Sequence, residues 1–216
     1  VALLLPPWLD QLLIKPNCPC CKKATADRKL CLNCRRGLAL EVDGANGQYP
    51  LPWWALGSYE GGLRHQLLQL RKQSDPQLIT ALGRLLYQLI PNLGVSLLVT
   101  AIPERRAGGF SMPWAIAEVI AQEGGHQLVK ALARNRACLG QHHLNRKQRQ
   151  SNLDGVFRCV LPAKAELQPL LLVDDILTTG ATATAAMVAL EQVGHGLLGL
   201  ACLARTPAPK KQEWVG

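Results

Sequence analysis

Two adjacent carboxylates, Asp174 and Asp175, interrupt the apolar run LLLVDDILTTGATATAAMVAL over 170–190, just before threonines grouped round Gly180. Charged carboxylates lose hydration when buried and repel each other, so the pair belongs at an edge, where the strand LLLV ends. The loop that follows offers backbone N–H groups, the hydroxyls of Thr178, Thr179 and Thr182, and a helix amino terminus opening near Ala181 or Thr182. Such a turn cradles an anion, and Gly180 permits close backbone approach. An ordinary capped βα turn uses the same residue types. The acidic pair favours a phosphorylated sugar, because vicinal hydroxyls need acceptors near the 5′-phosphate. No lysine follows the glycine, so the loop lacks the main cation of a Walker-type nucleotide site.

Cysteines make the second constellation. Five of the eight crowd into NCPCCKKATADRKLCLNCRR. Cys18 with Cys21, and Cys31 with Cys34, form two C-x-x-C knuckles able to converge four thiolates tetrahedrally on Zn²⁺. Cys20 could replace Cys21 in a C-x-C grip, but the second knuckle repeats the x₂ spacing. Lys22, Lys23, Arg28, Lys29, Arg35 and Arg36 would offset the negative charge of a Cys₄ centre. Four protein ligands leave no open position, so the metal would be structural. A disulfide-stapled loop is the competing reading, disfavoured in a reducing compartment. Cys138, Cys159 and Cys202 are scattered singly and read as small packing residues.

The 216 residues suffice for one sizeable core and a small accessory module, and 48% hydrophobic against 18% charged residues excludes large-scale disorder. A formal charge of +9 favours an anionic partner: nucleic acid, a phosphorylated metabolite or an anionic membrane surface. No apolar stretch reaches the roughly 20 residues of a transmembrane helix. The opening VALLLPPWLDQLLIK, without a basic leader or small-residue cleavage pattern, reads as an amphipathic helix with Trp8, Leu9, Leu12 and Leu13 on one face of a cytoplasmic protein. Arg134, Arg136, His142, His143, Arg146, Lys147, Arg149 and Arg158 form a basic concentration. They read either as a solvated face or as a track for a nucleic-acid backbone, with Arg134, Arg136, Arg146, Lys147 and Arg149 as the phosphate contacts to single-stranded DNA.

The elements that must position these residues follow from periodicity. QYPLPWWALGSY reads as a short strand or hairpin leaving the cysteine module. GGLRHQLLQLRKQ and DPQLITALGRLLYQLIP are helical, the second with Asp75 as N-cap and Pro76 at its first position. Continuous apolar runs then alternate with helices: the strand VSLLVTAIP over 95–103, the loop ERRAGGFSM, the helix PWAIAEVIAQEGG, the strand LLLVDD, a further helix and GLLGLACLA. This is the pattern of an α/β protein with a doubly wound, mainly parallel sheet, where ligands bind at the carboxyl ends of strands. The expected division is a four-cysteine module with its N-terminal helix over 1–47 and an α/β domain over 48–216.

LLLVDDILTTGAT resembles the phosphoribosyl-pyrophosphate motif of type I phosphoribosyltransferases. Combined with the amino-terminal four-cysteine module, GSYEGGLRHQLLQLRKQSD and RNRACLGQHHLNRKQRQSNLDGVF (with Gln141, Arg149, Asn152 and Phe157), the chain is similar to the ComF family of competence proteins. The resemblance implies that Asp174 and Asp175 hold ribose hydroxyls directly or through Mg²⁺. It implies that Thr178, Thr179, Gly180, Ala181 and Thr182 wrap the 5′-phosphate of phosphoribosyl pyrophosphate, while Arg105 and Arg106 face the departing pyrophosphate. It implies a role in DNA uptake during natural transformation, with a competence helicase or another DNA-uptake protein as partner. Phosphoribosyl transfer to a nucleobase or amine is the alternative activity. Where the family carries Arg-Gly-Phe-Asn-Gln, this chain has Gly108, Gly109, Phe110, Ser111 and Met112, which donate fewer hydrogen bonds.

Overall fold

A computed structural model describes residues 16–104, 109–135, 155–162 and 168–207. Among the described residues the main sheet has six strands: β1 (Ala45–Gly47), β2 (Trp53–Ala55), β3 (Leu98–Ala101), β4 (Gln127–Leu128), β7 (Leu170–Leu177) and β8 (Leu197–Arg205), in the order β1-β2-β8-β7-β3-β4. All neighbours are parallel except β1 and β2. A separate antiparallel pair joins β5 (Leu132–Arg134) to β6 (Phe157–Cys159).

The central strands are apolar on both faces, and their period-two alternation divides the core. Val99, Ala101, Leu171, Val173, Ala201 and Leu203 pack beneath α2 (Gly61–Lys72), α3 (Pro76–Tyr87) and α4 (Met112–Gly124). Leu98, Leu170, Leu172, Leu200 and Cys202 face α5 (Ala181–Glu191) and the β5–β6 pair. Helices therefore cover both faces of a mostly parallel sheet, as the alternating elements imply.

Local chemistry accounts for the helix starts. Asp75 accepts from the Leu78 amide at 3.1 Å, and Pro76 occupies the first turn of α3. Ser111 accepts from the Trp114 amide at 3.4 Å to open α4, which ends on left-handed Gly125.

The strand bearing the acidic pair does not end at Val173. β7 runs on through both carboxylates to Leu177, because Asp174 and Ile176 keep register with Cys202 and Ala204 of β8. The apolar run over 95–103 contracts to the four residues of β3, and β4, β5 and β6 are short strands that periodicity does not announce.

The short helix α1 (Leu32–Gly37) belongs to the cysteine segment, which packs against α2. Cys18, Leu30 and Leu38 share a buried cluster with Leu63, Leu67 and Leu82. At Gly62 a Cβ would lie 2.0 Å from the Gly37 carbonyl oxygen, so only glycine allows the start of α2 to meet the end of α1.

Candidate ligand cleft and metal centre

At the carboxyl ends of β3 and β7 a cleft of about 610 Å³ opens, lined among others by Arg71, Glu104, Arg134, Asp174, Asp175 and Thr182. Adjacent strand residues point to opposite faces, so Asp174 and Asp175 have different surroundings. Asp175 is buried on the α2 face, where Arg71 closes on one carboxylate oxygen, with Nε at 2.8 Å and a terminal nitrogen at 2.6 Å from Oδ2. Asp174 lies opposite Cys202 of β8 and accepts the Asp175 amide at 2.9 Å. Burial, reinforced by the charge of Asp175, raises its carboxyl well above the ordinary aspartate range, and Arg71 offsets this only in part. Glu104, on the loop after β3, is also raised, by burial and by Asp175, with Arg71 opposing. The carboxylates of Glu104, Asp174 and Asp175 thus crowd one cleft beside the Arg71 guanidinium, an arrangement that favours a divalent cation or a polyhydroxyl ligand.

Beyond β7 the chain turns through Thr178 and Thr179, both exposed, to Gly180, the N-cap of α5 at φ +81°. A Cβ there would sit 2.5 Å from Pro50 Cγ, so the left-handed backbone and the close wall both require glycine. The N-cap of α5, a glycine, has no side chain to cap the helix. The Thr179 hydroxyl accepts weakly from the Ala181 amide at 3.4 Å, and the Thr184 hydroxyl turns back to the Gly180 carbonyl at 3.0 Å. The amides at the start of α5 therefore remain directed at the loop, where a helix amino terminus favours negative charge.

The cysteine cluster is well defined. Sγ atoms of Cys18, Cys21, Cys31 and Cys34 all lie within 4.8 Å of one another, with Cys21 and Cys31 at 3.9 Å. Sulfurs on a tetrahedral zinc with bonds of about 2.3 Å stand about 3.8 Å apart, so small adjustments would seat the ion. The first knuckle is a turn closed by Cys18 N–H to the Lys23 carbonyl and Lys22 N–H to the Cys18 carbonyl, both 2.8 Å; the second opens α1, with Cys31 as its N-cap. Burial would raise the Cys18 thiol, yet the Cys31, Cys21 and Cys20 amides outweigh it and bring it down to about 6, readying a thiolate ligand. Cys20 stands outside the set, its Sγ 4.0 Å from Gln66 Oε1 of α2.

Asp174, Asp175, Arg134 and Thr182 line the cleft together, with Thr178–Gly180 leading into α5 beside it. Arg134 Nε donates to the carbonyls of Pro103 and Glu104 at 2.9 and 3.1 Å, and its guanidinium lies 4.6 Å from the Phe157 ring centre. Arg105, Arg106, Arg136, Arg146, Lys147 and Arg149 lie outside the described residues. Within the stretch 108–112, Ser111 is spent on capping α4 and Met112 is buried in the core, while Phe110 faces the cleft. Sequence reasoning missed Arg71 and Glu104. Basic residues in a last helical turn are common for dipole reasons alone, so Arg71 carried no separate signal.

No family model matches the sequence, and no curated protein does. Among solved structures the chain is similar to adenine phosphoribosyltransferase from Leishmania tarentolae, at 15% identity over 62% of this chain and 59% of that one, TM-score 0.42. It is also similar to adenine phosphoribosyltransferase from Saccharomyces cerevisiae, at 17% identity over 78% and 87%, TM-score 0.41. A third, described as the allosteric regulatory enzyme of purine biosynthesis, matches at 19% identity over 57% of this chain and 25% of that one, TM-score 0.38. The chain thus spans a quarter of the last protein and 59% of the Leishmania enzyme. These superpositions are loose, and the α/β assignment rests on the strand order and layering described above. No helix among the described residues is long and apolar enough to cross a membrane.

Proposed function

We propose that the cleft binds phosphoribosyl pyrophosphate or another 5′-phosphoribosyl group. The carrying observation is the acidic pair of β7 leading directly into the glycine-capped turn of α5, at the mouth of one cleft. On this reading the 178–182 turn receives the 5′-phosphate through its amides and threonine hydroxyls, and Asp174 and Asp175 accept the ribose hydroxyls. Mg²⁺ accompanying a pyrophosphate would find oxygen ligands in the same pair and would relieve the repulsion by Asp175 that adds to burial in raising Asp174. Cys18, Cys21, Cys31 and Cys34 would hold one structural Zn²⁺.

The use of Ser111 for capping and of Met112 for packing supports binding without turnover, since neither side chain is left to stabilise a departing pyrophosphate. A role in DNA uptake, with single-stranded DNA held by the basic segment, is supported by the sequence resemblance and the net charge. Calorimetry with phosphoribosyl pyrophosphate and Mg²⁺ tests the reading. Asp174→Ala combined with Asp175→Ala, and separately Thr179→Val, should each weaken binding at least tenfold, as expected for lost hydrogen bonds of about 1.5–3 kcal/mol to charged groups. Unchanged affinity in both variants would reduce the loop to a capped turn. Pyrophosphate release against a panel of nucleobases would favour the transferase alternative.

A further inference from the structure

We propose that Arg205 is a positioning residue for the phosphate turn, aiming the amides of Thr178 and Thr179 at the bound anion. This rests on the reading that the 178–182 turn takes a 5′-phosphate. Arg205 is the last residue of β8 and pairs with Leu177, the last of β7. One terminal guanidinium nitrogen donates to the Leu177 carbonyl at 3.1 Å and also to the Thr178 carbonyl. The Leu177 carbonyl accepts a second bond from the Thr206 amide at 2.9 Å.

In a trans peptide the N–H of each residue points opposite to the preceding carbonyl. Drawing the carbonyls of Leu177 and Thr178 toward Arg205 therefore turns the N–H groups of Thr178 and Thr179 away from it. Both amides then present outward beside the uncapped start of α5, the concave set of donors that holds a phosphate. Without this anchor the Thr178–Thr179 peptide could flip and offer a carbonyl oxygen to the anion instead, whereas the Leu177 carbonyl keeps its bond from Thr206.

Arg205 is itself held firmly. Its amide donates to the Gly57 carbonyl at 3.0 Å, its carbonyl accepts the Tyr59 amide at 2.8 Å, and its guanidinium lies 5.7 Å from the Trp53 ring centre. Among the described residues no carboxylate forms an ion pair with it. Its charge, without a carboxylate partner among the described residues, stands behind the turn and adds a favourable field for a phosphate, apart from the geometric effect.

Ribose 5-phosphate is the probe, with binding followed by calorimetry and by ¹⁵N-resolved amide spectra of the full chain. In the wild type, binding should shift the Thr178 and Thr179 amides. Arg205→Met should weaken binding about tenfold and shrink those two shifts, while Arg205→Lys, which keeps the charge but loses the planar fork, should lose about threefold. Wild-type affinity and wild-type shifts in both variants would overturn the role of Arg205 while leaving the phosphate turn standing. Absence of ribose 5-phosphate binding in the wild type, or binding that leaves these amides unmoved, would overturn the phosphate-turn reading and this inference with it. If Arg205→Met does not fold, Arg205→Lys decides: weakened binding at wild-type thermal stability supports the role, and undiminished binding refutes it.

Discussion

Replacing Arg71 with alanine tests the electrostatic design of the cleft most directly. In the native protein two guanidinium nitrogens converge on Oδ2 of Asp175 at 2.6 and 2.8 Å; the arginine side chain is 46% exposed and the aspartate side chain 9%. Fully exposed pairs contribute about 0.2–1 kcal/mol, whereas removing one partner of a buried pair costs about 3–5 kcal/mol. With one partner buried and the other half in water, Arg71→Ala should cost about 2 kcal/mol at pH 7, after discounting for solvent screening. For a chain of this size that corresponds to a fall in Tm of about 4–8 °C. Thermal unfolding followed by circular dichroism gives the number, and Asp175→Asn completes a double-mutant cycle. In the Asn background the same Arg71→Ala change should cost well under 1 kcal/mol, or about half the single-mutant loss at most, because no buried charge is then orphaned. A Tm within a degree of wild type, or an equal loss in both backgrounds, would refute the idea that Arg71 neutralises Asp175.

Cys31→Ser should abolish the one zinc per chain expected by elemental analysis; because Cys18, Leu30 and Leu38 share the core with α2, protection from hydrogen exchange should also fall at Leu63 and Leu67. Gly180→Ala places a β-carbon 2.5 Å from Pro50 Cγ in a left-handed conformation, so it should cost about 2 kcal/mol by denaturant titration and remove measurable ribose 5-phosphate binding. Asp174 has a folded-state value above its unfolded one, so in the window between the two the folded protein binds more protons and stability falls as pH rises. Asp174→Asn should flatten that fall and raise Tm at pH 7 relative to pH 4; parallel wild-type and mutant curves over this range would count against it.

What the sequence disclosed was local. Asp75 with Pro76 marked the start of α3 because a cap and a fixed φ act within one turn. The four-cysteine spacing and the LLLVDD run were legible for the same reason. The continuation of β7 through two carboxylates was not, because the group that makes burial of Asp175 tolerable is Arg71, 104 positions earlier. Likewise the helix opening PWAIAEVIAQEGG was readable, but the spending of Ser111 and Met112 on cap and core depended on where α4 packs. The shared core of the cysteine segment and α2 hangs on Gly37 meeting Gly62, a tertiary contact with no periodic trace.

Helix α2 touches both centres of interest. Its first turn abuts Gly37, its middle places Gln66 beside Cys20, and its last turn delivers Arg71 to Asp175. Twelve residues make a rod about 18 Å long, buried along Leu63, Leu67 and Leu70. A rod so clamped transmits a small tilt at one end as a displacement at the other. Any shift of α2 on filling the cysteine centre would therefore reach the counter-ion of the cleft. Thermodynamic reciprocity then fixes the converse: the factor by which a metal at the cysteines would alter affinity for a ligand in the cleft is the factor by which that ligand would alter affinity for the metal.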